Sequence, residues 1–197
     1  GVVADPDAEQ PDWEGAYGFG QGPTTAETPA GDTEESWVSK IKDVTDWQTN
    51  VSDPLVAHGR VYICAGSQLI MMDAATGKEL GRAPLVEKVD SIARMVMVDG
   101  LIIVPVHNGR LQALTADTLS TVWYTDALPA HEQGGDQQAL GSLTVEGGYL
   151  YISTASASWS SSYNGYLLCV DIKTGDVVWQ RESTQSGFYW AGAAVSG

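Results

Sequence analysis

The feature that most constrains this 197-residue chain is an internal repeat. A short apolar run broken by a glycine turn occurs three times, at residues 57–63, 98–104 and 146–152. Each run is followed by a second, turn-like element, at residues 71–77, 113–119 and 169–175. Self-similarity at a period of tens of residues is typical of proteins built from stacked supersecondary units. Each copy therefore predicts one structural unit.

The spacing of the copies and the length of their apolar clusters indicate what that unit is. From Asp73 to Thr115 is 42 residues, and from Thr115 to Asp171 is 56. A four-stranded propeller blade takes about 40 to 50 residues. The apolar clusters are short and end at glycine, which favours strands over helices. We predict an all-β fold: a β-propeller segment of about three four-stranded antiparallel blades plus an incomplete blade, with an irregular acidic N-terminal stretch.

The organisation along the chain follows from this prediction. Residues 1–36 are rich in acids, Pro, Gly and Thr without a hydrophobic period, and are expected to be a solvated spacer. Residues 37–197 are expected to be the propeller segment. Its blades are predicted at residues 51–84, 92–126 and 140–182, with a partial blade at residues 186–197. The extra length of the third copy falls in Pro129–Ala139 and Ser153–Asn164, both expected to be long loops.

The second element of the third copy carries a motif, Cys169-x-Asp171-x-x-Thr174-Gly175-x-x-x-Trp179. It closely resembles the tryptophan-docking motif of the PQQ-like, or quinoprotein alcohol dehydrogenase-like, β-propeller family. The other copies are degenerate: the second keeps Thr118 and Trp123 but has Thr115 and Leu119 at the acid and glycine positions. The first keeps Asp73, Thr76 and Gly77 but has Gly81 where tryptophan is expected.

The motif also has a physical interpretation that does not depend on the family. An Asp-x-x-Thr-Gly sequence suits a tight hairpin in which the Asp or Thr side chain accepts backbone N–H bonds and the glycine adopts a positive φ. The tryptophan then falls in the outer strand, where its ring fills the gap between blades and its indole N–H finds a carbonyl. We interpret the motif as structural rather than as a binding site.

The two ends of the propeller segment extend this interpretation. Residues 35–41, which include Trp37, resemble the outer strand that completes the last blade of such proteins from the amino end. Three blades cannot close a ring, and an open propeller exposes apolar faces and strand edges. We expect a fragment of a larger ring, with self-association as its consequence; the alternative is that two copies complete one ring.

Charge and hydropathy exclude several classes of partner. The formal net charge is -15, from 25 acidic and 10 basic side chains, so nucleic acid is not an expected partner. No apolar run approaches the roughly 20 residues of a spanning helix, and no membrane-spanning segment is predicted. The acidic spacer is typical of a secreted or cell-surface bacterial protein.

The family resemblance implies a quinone, a calcium or lanthanide ion and a catalytic base, but the sequence supplies none of these visibly. The adjacent cysteines that many quinoprotein alcohol dehydrogenases place against the cofactor are absent; Cys64 and Cys169 lie far apart in predicted strands and are interpreted as buried apolar residues. PQQ and calcium therefore lack support, and we assign no cofactor, no metal site and no catalytic residue.

Other candidate sites are weak. His58, His107 and His131 have no metal-binding spacing, and the first two are expected to be solvent-exposed at blade turns. Asp126, Glu132 and Asp136 surround His131; they are either a carboxylate or calcium site or, as we prefer, parts of a solvated loop.

The best recognition candidate is the segment that contains Trp159, Tyr163, Asn164 and Tyr166. Its mixture of aromatic, serine, asparagine and glycine residues is typical of adaptable binding loops. The alternative is that Tyr163 and Tyr166 only cover a hairpin of the third blade.

Three functions remain open. The leading hypothesis is a non-catalytic extracellular or cell-envelope propeller that recognises a protein or glycan through blade loops. The resemblance also admits part of a quinone-dependent dehydrogenase, or a scaffold like the outer-membrane assembly lipoproteins.

Overall fold

The computed structural model describes residues 37–42, 44, 50–90, 94–139, 141–158, 161–188, 193 and 195. The described residues form thirteen strands and one 3-10 turn at His107–Gly109. The strands are β1 Leu55–Ala57, β2 Arg60–Ala65, β3 Gln68–Asp73, β4 Glu79–Pro84, β5 Val96–Val98, β6 Leu101–Val106, β7 Arg110–Thr115, β8 Thr121–Tyr124, β9 Thr144–Glu146, β10 Tyr149–Ser153, β11 Ser156–Ser158, β12 Ser161–Asp171 and β13 Val177–Ser183. No helix in this part of the chain is long and apolar enough to cross a bilayer.

The strands form three antiparallel sheets, which we call blades 1, 2 and 3. Blade 1 has the order β1-β2-β3-β4 and blade 2 has the order β5-β6-β7-β8. In blade 3, β9, β10, β12 and β13 follow the same meander, and the short β11 also pairs with β12. The predicted all-β propeller architecture is confirmed. The spacer at residues 1–36 and most of the predicted partial blade at 186–197 lie outside the described residues.

One predicted loop is wrong in part. Residues 153–164 were expected to be irregular, but Ser156–Ser158 and the first half of β12 form a hairpin that prolongs blade 3. β12 continues through Gly165. The packing at this position requires a residue without Cβ, because a Cβ would collide with the carbonyl of Thr154 and with Gly187. Tyr163 and Tyr166 in this stretch are of a residue type that is enriched in strands.

The first hairpin of each blade is set by a two-residue turn with positive φ at both positions. The pairs are His58-Gly59, with φ of 49° and 73°, Asp99-Gly100, with 50° and 71°, and Gly147-Gly148, with 58° and 79°. Such turns match the twist of the flanking strands and fix their register.

The core lies between the blades rather than within any one sheet. One cluster joins blades 1 and 2 through side chains such as Leu55, Leu69, Ile102 and Leu114. A second cluster joins blades 2 and 3 through side chains such as Ile103, Leu150 and Val170. Cys64 and Cys169 are buried and unpaired, as predicted.

The outer side of blade 1 is covered by residues 37–42 and 44, which we call the strap. Ile41 and Val44 of the strap pack on the cluster of Ala65, Ile70 and Met72. Residues 35 and 36 lie outside the described residues, and residues 37–42 pair with no strand in the described part of the chain, so the outer strand at residues 35–41 stays a prediction. The strap contacts blade 1 through the Trp37, Ile41 and Val44 side chains and through the Lys42 carbonyl, which accepts from Arg82 Nη1 at 3.1 Å.

Neighbouring blades are joined by a contact between a tryptophan and a glycine turn. Trp123 of β8 lies on the β12–β13 turn, and its Nε1 donates to the Ile172 carbonyl at 2.8 Å. A Cβ on Gly175, whose φ is 77°, would lie 2.6 Å from Cδ2 of Trp123. The glycine is therefore required both by its backbone conformation and by the ring above it.

The same contact occurs at blade 1, where the strap supplies the ring. Trp37 Nε1 donates to the Ala74 carbonyl at 3.0 Å, and a Cβ on Gly77 would lie 2.5 Å from Cδ2 of Trp37. Asp73 shapes the turn beneath: its Oδ1 accepts bonds from Thr76 Oγ1 at 2.7 Å and Thr76 N at 2.8 Å. These bonds lower the pKa of Asp73.

The contact between blades 1 and 2 has neither the tryptophan nor the glycine of this pair, and other residues take their places. Gly81 stands where the tryptophan would be, and Leu119 stands where the glycine would be, with a φ of 58° and 4% of its surface exposed. The turn carbonyl is that of Ala116, and it accepts from Tyr62 Oη at 2.8 Å. Arg60 Nη1 donates to the same carbonyl at 3.2 Å, so a phenol and a guanidinium from blade 1 take the place of the indole, and the Leu119 side chain is buried in the cluster between blades 1 and 2.

Candidate functional site

The two edges of the blades differ in the length of their connections. At one edge, the two turns of each blade are tied by short backbone bonds: Ala74 N to Gly59 O, Ala116 N to Gly100 O and Ile172 N to Gly148 O. We call this the turn edge. The other edge, the loop edge, carries the connections between blades, residues 85–95 and 125–143, and the β10–β12 connection. Long connections on a rigid scaffold are where binding surfaces usually form.

Two segments at the loop edge are joined into one surface, which we call the loop platform: residues 126–139, and residues 153–158 with 161–164. Gln138 and Ala155 exchange two backbone bonds of 2.9 Å. Ser156 Oγ donates to the Gly135 carbonyl at 2.8 Å. The connection between blades 2 and 3 is therefore fastened to the extra hairpin of blade 3.

A buried polar network lies beneath the platform and centres on Gln137, which is fully buried. Its Nε2 donates to Asn164 Oδ1 at 2.8 Å, and its Oε1 accepts from Thr154 Oγ1 at 2.8 Å. Asn164 Nδ2 in turn donates to Glu182 Oε1 at 3.0 Å. Buried polar groups that all find partners fix one arrangement, because any shift would leave a polar atom unpaired.

An aromatic pair forms the surface of the platform. The rings of His131 and Tyr163 stack with centroids 5.0 Å apart and an interplanar angle of 15°. Gly134 allows this approach, since a Cβ there would lie 2.6 Å from Cδ2 of Tyr163. Around the pair, polar and small residues are exposed: Pro129, Ala130, Glu132, Gln133, Gly135 and Asp136.

His107 joins the platform to the preceding connection. Its Nδ1 lies 2.6 Å from Asp90 Oδ1, its Nε2 lies 3.2 Å from Asp136 Oδ2, and its backbone N donates to the Lys88 carbonyl at 2.8 Å. The hydrogen bond and charge of Asp90, helped by Asp136, raise the pKa of His107 against the opposing effect of burial. His107 thus ties two connections to the β6–β7 turn.

The expectation that His107 is simply solvent-exposed is wrong. Its side chain is only 21% exposed because the two connections close over it. His58 is exposed, as expected.

The predicted binding loop is divided by the structure. Trp159 lies outside the described residues. Tyr163 is on the platform surface, whereas Asn164 belongs to the network below it and Tyr166 is 5% exposed in the cluster between blades 2 and 3. Burial, and secondarily Glu182, raises the pKa of Tyr166. Asn164 and Tyr166 therefore support the surface rather than form it.

Sequence reasoning missed Gln137 and Thr154 as site residues, and it placed His107 at a turn without its two carboxylate partners. The run Gln137-Gln138 stands in a segment predicted to be a loop, but no spacing rule connects it to Thr154 or Asn164. Their proximity depends on how two blades pack.

The described residues do not fit a quinone and calcium site. Asp126 and Glu132 are exposed, and Asp136 is bound to His107. No three His, Cys, Asp or Glu side chains converge as metal ligands in the described part of the chain. Cys64 and Cys169 lie in different blades, and burial raises the pKa of Cys64 to about 12.

Comparison with known families decides the identity of the fold. The family model described as outer membrane protein assembly factor BamB matches residues 27–189. The chain belongs to this family. It is a BamB-like member of the PQQ-like propellers, and the resemblance inferred from the motif is confirmed.

Individual relatives are more distant. An uncharacterized protein of Rickettsia conorii is 30% identical over 132 residues, which are 64% of this chain and 28% of that protein. The quinohemoprotein alcohol dehydrogenase ADHIIG of Pseudomonas putida HK5 superposes with a TM-score of 0.54 at 22% identity, covering 66% of this chain and 20% of the enzyme. The quinohemoprotein alcohol dehydrogenase of Comamonas testosteroni gives 0.53 at 23% identity, covering 67% and 21%. The BamB-like chain spans less than a third of each, and the likeness to the enzymes is one of fold.

Proposed function

We propose that this BamB-like chain is a non-catalytic module of a bacterial envelope propeller and that it binds a protein partner through the loop platform. The observation that carries the proposal is the Gln137 network, which fixes the platform from below. A surface that is ordered before binding loses less conformational entropy when a partner docks.

The chemistry of the platform supports a protein as the partner. The His131–Tyr163 pair offers flat, amphipathic area of the kind that anchors interfaces. Glu132, Gln133 and Asp136 surround it with exposed polar groups. Because two of these are acidic, we expect the facing surface of the partner to be basic. Family membership is consistent with a scaffold role in the envelope.

The proposal can be tested by placing a photo-crosslinking amino acid at Gln133 of the platform, in cells that naturally make the protein. The matched control is the same amino acid at Asp117, which is exposed at the turn edge. We expect one discrete protein adduct from position 133 and none from position 117. The adduct should fall several-fold in Gln137→Ala, which leaves Thr154 and Asn164 without their buried partner.

Four results would contradict the proposal. Equal adducts from both positions, adducts from neither, or capture of a glycan alone would remove the platform as a protein site. Saturable binding of PQQ in the presence of calcium, with alcohol-dependent dye reduction, would instead favour the dehydrogenase alternative.

A further inference from the structure

His107 lies between two carboxylates that belong to different segments of the chain. Its Nδ1 is 2.6 Å from Asp90 Oδ1 in the connection between blades 1 and 2, and its Nε2 is 3.2 Å from Asp136 Oδ2 in the loop platform. A neutral imidazole has one N–H donor and one acceptor, whereas the imidazolium has two donors. Only the protonated ring can therefore donate to both aspartates, and a neutral ring must lose one of these bonds.

The burial of the two aspartates decides which bond is lost. The Asp90 side chain is 7% exposed, and the Asp136 side chain is 52% exposed. A buried carboxylate without a partner is costly, whereas an exposed one is hydrated. The neutral ring should therefore keep its proton on Nδ1, bound to Asp90, and release Asp136 to water.

Charged groups on the neighbouring segments leave the two aspartates as the partners of the ring. Arg110, at the start of β7, pairs with Glu87 of the connection at 3.6 Å. Lys88 is exposed and meets His107 through its backbone carbonyl. The aspartates raise the pKa of His107, chiefly through the hydrogen bond of Asp90, while burial lowers it. The other acids of the platform are exposed: Asp126 and Glu132.

Release of Asp136 leaves the platform in place, because the residues on either side of it are held by other bonds. Gly135 exchanges two backbone bonds with His131, and Gln137 is held by its buried network. Deprotonation therefore changes the charge of this surface rather than its shape. It removes the positive charge of the imidazolium and leaves the Asp136 carboxylate unpaired.

We propose that loss of a proton from His107 releases Asp136 while the bond to Asp90 remains, so that the loop platform binds a basic partner more tightly as the pH rises. The basic partner in this inference rests on the proposed function, whereas the release of Asp136 is a property of the chain alone. Linkage is reciprocal, so a basic partner that pairs with Asp136 favours the neutral ring, and its binding expels a proton to solvent. One exposed ion pair of this kind changes an affinity by about two- to fivefold.

The first experiment follows the free, isotope-labelled chain by NMR between about pH 5.5 and 8.5, a range that spans the ordinary titration of histidine. The imidazole nitrogens of His107 report its proton, and the Asp136 carboxyl carbon reports the bond to Nε2. We expect the Asp136 carboxyl and Nε2 to change together through one midpoint, while Nδ1 keeps its proton throughout. Asp136→Asn should lower this midpoint, because it removes a charge that favours the imidazolium. The matched control is Glu132→Gln, at another exposed acid of the same loop, which should leave the midpoint unchanged.

The second experiment repeats the photo-crosslinking from position 133 in isolated envelopes at about pH 6 and pH 8, on either side of the titration. We expect a yield about two- to fivefold higher at the upper pH in the native chain. His107→Asn keeps an amide nitrogen at the place of Nδ1 and cannot be protonated, so its yield should stay near the native yield at the upper pH. Asp136→Asn has no carboxylate to release, so its yield should stay near the native yield at the lower pH. His131 is a second ionisable group on the platform; it is present in all three chains, so the differences between them isolate His107.

The two experiments fail in distinguishable ways. Discrete adducts whose yield does not change with pH, or changes equally in the native chain and in His107→Asn, overturn the inference and leave the platform as a protein site. The inference is also overturned if Asp136 stays bound to the ring throughout the titration of His107, or if Nδ1 loses its proton first. Absence of an adduct at both pH values overturns the proposed function and the binding of a basic partner, while the NMR titration still decides whether Asp136 is released.

Discussion

Gly175→Ala is the sharpest test of the blade contact. The substitution adds one methyl group at a residue with a φ of 77°, beneath the ring of Trp123. Two costs follow. The left-handed conformation is unfavourable for alanine by about 1 kcal/mol, and the Cβ cannot coexist with a ring atom 2.6 Å away. The ring must move, and its bond to the Ile172 carbonyl is lost with it.

The second cost follows from the burial of the ring. Trp123 is 8% exposed, so expelling it approaches the cost of a Trp→Ala substitution, about 3 to 5 kcal/mol. Gly59→Ala isolates the backbone cost, because Gly59 has a φ of 73° and nothing lies within 4 Å of its new Cβ. We expect Gly175→Ala to lower the free energy of unfolding by at least about 2 kcal/mol more than Gly59→Ala.

The assay is urea unfolding followed by far-UV circular dichroism, with the slope compared between variants to verify that both measure the same transition. A double-mutant cycle adds a second test: in a Trp123→Ala background, the cost of Gly175→Ala should fall to that of Gly59→Ala. Costs of the two glycine substitutions within about 0.5 kcal/mol of each other in the native background would refute the reasoning.

Three further predictions concern other contacts of the fold. Tyr62→Phe should lower the free energy of unfolding by about 1 kcal/mol through loss of its hydrogen bond to the blade 2 turn, whereas Tyr124→Phe, at a residue 54% exposed, should have no measurable effect in the same urea assay. Gly81→Trp and Leu119→Gly should each lower the free energy of unfolding. The loss in the double variant should be smaller than the summed losses of the two single variants by about 1 kcal/mol or more. Strictly additive losses would contradict this. Folding raises the pKa of His107, so its protonated form stabilises the fold fully at a pH below its pKa in the unfolded chain, and this stabilisation is lost as the pH rises through its pKa in the folded protein. His107→Gln should therefore remove this pH-dependent loss from melting temperatures measured between pH 5.5 and 8.5. The control variant His58→Gln should retain it.

The blades could be predicted from the sequence because their determinants are local. The positive-φ turns at Asp99-Gly100 and Gly147-Gly148 are visible as glycine at fixed distances from apolar runs. The roles of Trp123 and Gly175 follow from the motif, since each repeat supplies one half of a contact between neighbours. These features need no knowledge of the three-dimensional packing.

The substitute joint and the platform could not be predicted in this way. Tyr62 is one aromatic residue in a strand, and its acceptor at Ala116 is 54 residues away. Nothing local indicates that Tyr62 compensates for Gly81 and Leu119. The Gln137 network likewise depends on two segments that meet only after blades 2 and 3 pack.

Solvent exchange of the indole N–H protons, followed by NMR on the nitrogen-15 labelled chain, tests the central claim that tryptophans join these blades. Each resonance can be assigned with a single Trp→Phe variant. The account predicts slow exchange for Trp123, which is buried and bonded to the Ile172 carbonyl, intermediate exchange for the half-buried Trp37 and fast exchange for Trp179 at concentrations where the chain is monomeric. Exchange of Trp123 as fast as that of Trp179 would contradict it.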